Sequence, residues 1–154
     1  MTTTDRLSEL GITLPAVAAP VAAYVPAVRT GHQVWTSGQL PFVDGQLAAT
    51  GKVGAEVSAE DAEQYARAAA LNALAAVDAL VGIDNVTRVL KVVGYVASAE
   101  GFSGQPAVIN GASNLMGEVF GRAGEHARAA VGVAELPMGA PVEVEIIVEV
   151  AGEQ

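Results

Sequence analysis

The stretch SAEDAEQYARAAALNALAAVDALVG, residues 58–82, limits the folds open to this chain more than any other. Its apolar residues Ala62, Ala66, Ala69, Ala73, Val77 and Leu80 recur at i, i+3 and i+4 spacing, which predicts an amphipathic helix with one face to bury. Ser58, with Asp61 three residues on, supplies an N-terminal cap, and Gly82 the stop. On either side of the helix the pattern is that of strands.

Upstream, YVPAVRTGHQVWTSGQL carries two β-rich pieces, 24–29 and 33–39, joined by the turn RTGH, and predicts a hairpin. The segment PFVDGQLAATGKVG has the glycines and proline of a loop, with at most a short strand pair. Downstream, VTRVLKVVGYVA (86–97) is β-branched and apolar on both faces. A second helix is expected over about 105–120, although Gly111 and Gly117 each cost about 1 kcal/mol against Ala. Strands return at 128–134 and 142–150, the latter, VEVEIIVEV, alternating strictly. The order ββ-α-β-α-ββ defines an α+β fold with its helices on one sheet face, and no internal repeat interrupts it. Two helices cover only that face. The apolar second face of 86–97 therefore calls for a further cover, either a copy of the chain or the N-terminal arm folded back.

The 154 residues suit one domain spanning 1–154, with residues 1–20 as an extended arm. The start MTTTDRLSEL lacks the features of a signal peptide, and Pro15, Pro20 and Pro26 argue against a spanning helix in the apolar segment that follows. No membrane association is expected. With no cysteine, the chain has neither disulfides nor thiolate metal sites, in keeping with a reducing cytoplasm. Eight Lys and Arg face 17 Asp and Glu, giving a net charge of −9 that repels phosphate backbones. Nucleic acid is not an expected partner.

Against that scarcity of cations, Arg128 in ARAAVGVAELP is conspicuous. Arg128, Ala130, Gly132 and Ala134 share one strand face, so the guanidinium has no bulky neighbours and the small residues are expected to leave a cavity for a small carboxylate. The competing reading pairs Arg128 with one of the acidic side chains. On the last strand Glu143, Glu145 and Glu149 share a face with Ile147; they are solvating charges unless one lines the cavity as a general base. Ser37 and Gly38 in TSGQLP offer a hydroxyl and close backbone approach. His32 and His126 are expected in turns and loops exposed to solvent, Trp35 and Tyr95 in the core, and Tyr65 half-buried.

The combination of YVPAV with TSGQLP near the start, and ARAAVGVAELP with VEVEIIVEV at the end, resembles the RidA (YjgF) family of reactive imine deaminases over residues 20–150. That resemblance implies a chorismate-mutase-like fold, a homotrimer, and a ligand cleft between subunits that needs no metal or organic cofactor. It implies substrate-binding roles for Arg128 (carboxylate), Tyr24, Ser37 and Gly38, and a catalytic role for Glu143 toward water. The family's pocket asparagine falls on Asn110 or Asn114. Two positions depart from the pattern: His126 stands where the family has proline, and Ala130 where it has cysteine. The implied activity is hydrolysis of 2-imino acids or enamines. A carboxylate sensor is the alternative, and a ribonuclease, suggested by the family's naming history, fits the acidic charge poorly.

Overall fold

A computed structural model describes residues 1–20 and 22–152. Its main sheet has five strands, β1 (Ala27–Thr30), β2 (Gln33–Thr36), β5 (Val86–Ala97), β6 (Ala127–Val133) and β7 (Val142–Val150), in the order β1-β2-β7-β5-β6. A separate ribbon pairs β3 (Phe42–Val43) with β4 (Gln46–Leu47). Two long helices, α2 (Ala59–Val81) and α3 (Gln105–Phe120), pack on one face of the main sheet. All its pairings are antiparallel except β5 with β6. A parallel pair needs a crossover connection, and α3 is that connection.

The expected elements are present with shifted ends. Ser58 caps α2 by accepting the Asp61 amide, and Gly82 closes it at φ 82°, a conformation that favours glycine. The buried stripe of α2 runs through Ala62, Ala66, Ala69, Ala73 and Val77, but Leu80 lies outside it, 46% exposed. Against these alanines pack Val89, Val92 and Val96 of β5 and Val142, Val144, Ile146 and Val148 of β7. Each such Val or Ile contributes about 1.5–3 kcal/mol by leaving water. The first strand starts at Ala27, which places Tyr24 ahead of the sheet rather than in it.

The N-terminal arm is not extended throughout. Thr3–Glu9 form a helix, α1, because Thr2 and Asp5 cap each other's backbone amides. Leu7 enters the core, Arg6 Nε donates to the Glu118 carbonyl, and Leu10, Ile12 and Leu14 pack behind it. Residues 3–14 of the arm thus join the helical side and do not cover the outer sheet face. Val28, Trp35 and Val131 on that face are 52, 46 and 44% exposed. Trp35 is therefore not a core residue, and Tyr95 is only partly buried there. Among the described residues no helix is long and apolar enough to cross a membrane.

Candidate functional site

The site begins with an irregularity in the β2–β7 ladder. Trp35 pairs with Ile147, but the next bridge joins Gln39 to Val144, so Thr36, Ser37 and Gly38 face only two residues of β7. The surplus residue bulges the strand outward. Thr36 Oγ1 accepts the Ile146 amide at 3.0 Å, the Ser37 amide donates to the Pro26 carbonyl, and Ser37 Oγ donates to the Val25 carbonyl at 2.6 Å. The bulge and the preceding turn hold each other.

Gly38 then crosses directly beside Glu143. A Cβ at residue 38 would stand 2.6 Å from Glu143 Oε1, so any other residue there would push the carboxylate out of its present position. Together Tyr24, Ser37, Gly38 and Glu143 line a cleft of about 390 Å³, completed by Pro26, Gln39, Leu40, Phe42, Pro137 and the arm residues Ala18–Pro20. The arm wall went unread in the sequence; its signal was a run of Pro and Ala unsuited to helix or strand. Burial pushes the Glu143 carboxyl above the ordinary glutamate range, and the charge of Glu145 pushes it the same way. Glu145 in turn accepts a short hydrogen bond from the Tyr95 hydroxyl, which raises the phenol to about 12.

Arg128 lies elsewhere in the chain. It is in register with Val92, whose side chain is buried under the helices, whereas Glu143 is in register with Tyr95 on the outer face. The two residues therefore occupy opposite faces, with β5 between them, and Arg128 does not line the cleft. Two of the small residues beside it lie close against other parts of the chain. A Cβ at Gly132 would meet Gln105 Nε2 at 2.7 Å, and Ala130 packs against the core, so they make room for α3.

No ion pair involves Arg128 among the described residues. Its Nη1 donates to Asn110 Oδ1 at 2.8 Å and to Ser113 Oγ at 3.3 Å. Of the two candidate asparagines, Asn110 is thus the one that meets the arginine. His126 is not a solvated loop residue: it is partly buried, with Nε2 2.9 Å from Ser113 Oγ and Nδ1 against the Gly124 carbonyl. His32 sits in its expected turn, with Nδ1 3.1 Å from the Val150 carbonyl.

A mixed five-stranded sheet with two helices on one face and an acid-bearing cleft at the bulged end of β2 defines an α+β, chorismate-mutase-like protein. The chain belongs to the YjgF family: the model described as "YjgF/chorismate mutase-like, putative endoribonuclease" matches residues 4–150. Protein TCP17 of Trypanosoma cruzi is 47% identical over 146 residues, 94% of this chain and 91% of that one. The crystal structure of Atu1372 from Agrobacterium tumefaciens is similar at 46% identity and TM-score 0.89, over 97% of this chain and 92% of the other. E. coli TdcF, solved with bound serine, is similar at 26% identity and TM-score 0.65, over 90% and 96%.

Proposed function

We propose that the protein hydrolyses 2-imino acids, or their enamine tautomers, to 2-keto acids and ammonia, in a cleft completed by a second copy of the chain in a homotrimer. The observation that carries this reading is Glu143: a half-buried carboxyl with a raised pKa, pressed against Gly38 in a cleft sized for a small molecule. A carboxyl shifted toward neutrality is suited to taking a proton from water and returning it to nitrogen. Arg128 complements it. Among the described residues the guanidinium has no carboxylate partner, and in a trimer it would enter a neighbour's cleft from the opposite sheet face.

In this mechanism the Arg128 fork holds the substrate carboxylate. Glu143 takes a proton from a water molecule as the oxygen bonds to the imine carbon and the C=N electron pair moves to nitrogen. Glu143 returns that proton to the nitrogen, giving the neutral carbinolamine; it then takes the hydroxyl proton and passes it to the amino nitrogen as the O–H electron pair closes the C=O bond and the C–N bond breaks, releasing ammonia and the 2-keto acid. The backbone beside Gly38 steadies the tetrahedral centre. Because the imine carbon is already electrophilic, positioning supplies most of the rate.

The serine bound by TdcF favours a second reading, a sensor that binds a small carboxylate without turning it over. The two separate on Glu143→Gln. An imine is generated by an amino-acid oxidase and 2-keto acid release is followed with and without the protein. The enzyme reading expects acceleration by wild type, a loss of about 10²-fold or more in the variant, and carboxylate binding retained in both. Binding without acceleration by wild type would establish the sensor.

A further inference from the structure

The polar chain behind Arg128 has no part in the mechanism above, yet it fixes where the guanidinium points. Asn110 and Ser113 lie three residues apart on α3 and so share a helix face. His126 and Arg128 lie two apart at the start of β6, so their side chains leave the backbone on the same side. The crossover brings these two pairs together: Ser113 Oγ lies 2.9 Å from His126 Nε2 and 3.3 Å from Arg128 Nη1, and Nη1 also reaches Asn110 Oδ1 at 2.8 Å.

The direction of each hydrogen bond follows from its chemistry. The Gly124 carbonyl can only accept, so His126 Nδ1 carries the proton facing it. In the neutral ring Nε2 is then a lone pair, and the Ser113 hydroxyl must donate to it. That turns the Ser113 oxygen toward Nη1, which can only donate. Both hydrogens of Nη1 are thereby committed, one to Ser113 and one to Asn110, while the Nε and Nη2 edge has no partner among the described residues. That edge is the fork that takes a carboxylate bidentately.

We infer that His126 and Ser113 are positioning residues: the imidazole, locked through Nδ1 by the Gly124 carbonyl, orients the Ser113 hydroxyl so that it pins Nη1 and presents the remaining edge of Arg128 to the ligand. The inference rests on the carboxylate-binding reading of Arg128. A long arginine side chain loses considerable rotamer freedom on binding, and a pinned one has lost part of it beforehand.

The test has two independent arms, using His126→Phe, which removes the acceptor, Ser113→Ala, which removes the hydroxyl, and His126→Gln, whose side-chain oxygen can replace Nε2. The first arm needs no ligand. ¹⁵N relaxation of the Arg128 Nε–H group is expected to report an ordered side chain in wild type and His126→Gln, and a mobile one in His126→Phe and Ser113→Ala. In the second arm, pyruvate affinity is expected to fall about threefold to tenfold in the two disrupting variants, as for loss of one hydrogen bond, and to recover in His126→Gln, with turnover of bound imine unchanged. Should His126→Phe fold poorly, Ser113→Ala carries the test, since alanine is tolerated within a helix. An Arg128 equally ordered in Ser113→Ala and wild type would overturn the inference. Failure of wild type to bind pyruvate, with the ordering result intact, would instead count against the functional reading alone.

Discussion

The proposed mechanism divides its chemistry between two charged residues, and the fold treats them differently. The Glu143 carboxyl is held above its ordinary value of 4.5, first by burial and then by Glu145. A raised carboxyl favours folding in its protonated form, so its contribution to stability is present below the unfolded value and lost as pH rises through the folded one. Glu143→Gln is neutral at every pH. Its melting temperature should therefore exceed that of wild type at neutral pH, with the gap closing as pH falls below 4.5; a lower melting temperature at neutral pH would mean that the carboxylate form is stabilised after all. Arg128 has hydrogen-bonded neighbours but, among the described residues, no buried partner charge to orphan. Arg128→Ala should alter stability by no more than about 1 kcal/mol while abolishing detectable 2-keto acid binding, and Arg128→Lys should weaken that binding by about 1–3 kcal/mol through loss of the fork. Thermal melts with and without pyruvate read both effects. A loss of about 3–5 kcal/mol in the alanine variant would restore the paired, architectural reading of Arg128.

At the scale of elements, the sequence was most readable where one periodicity ran unbroken. The cap at Ser58, the stop at Gly82 and the alternation of VEVEIIVEV locate α2 and β7 closely. It misled where small residues had two possible causes. Ala130 and Gly132 beside Arg128 suggested a cavity, but a small residue equally marks close approach of another element, and pattern alone does not separate the two. The helix α1 is hard to read in the sequence because seven residues show little periodicity, although the box of Thr2 and Asp5 marks its start. The two glycines of α3 illustrate the same ambiguity and can be tested. At Gly111 a Cβ would overlap the Glu63 carbonyl oxygen of α2, whereas at Gly117 it would meet open space. Gly117→Ala should gain about 0.5–1 kcal/mol from helix propensity alone. Gly111→Ala gains the same propensity but forces the helices apart, an overpacking cost of about 1–3 kcal/mol or more, and should be destabilising overall. Urea unfolding of the two variants would show opposite shifts in midpoint; shifts of the same sign would mean that α2 and α3 yield at their crossing.

For the whole molecule, the open sheet face and the divided site make the same demand. Arg128 and Glu143 cannot cooperate within one chain, because the sheet itself separates them, and Val28, Trp35 and Val131 remain in water unless another subunit covers them. The proposed closed trimer would answer both: it would bury the outer faces together and bring the Arg128 edge of one copy to the cleft of the next. The protein should therefore scatter light as a species of roughly 47 kDa, three times the chain mass of 15.6 kDa. Each copy carries a net charge of −9, so like charges oppose assembly and salt should favour it; dilution at about 0.01 M ionic strength should dissociate the trimer sooner than at about 0.15 M. The single tryptophan, Trp35, reports directly, with emission expected to shift to the red as its face is uncovered. Trp35→Asp places a charge on that face without touching the helical core, so it should yield a folded monomer with intact helical circular dichroism and no imine hydrolysis. A wild type that stays monomeric at micromolar concentration and still hydrolyses imines would refute the shared cleft, since no arrangement of one chain brings Arg128 around the sheet to Glu143.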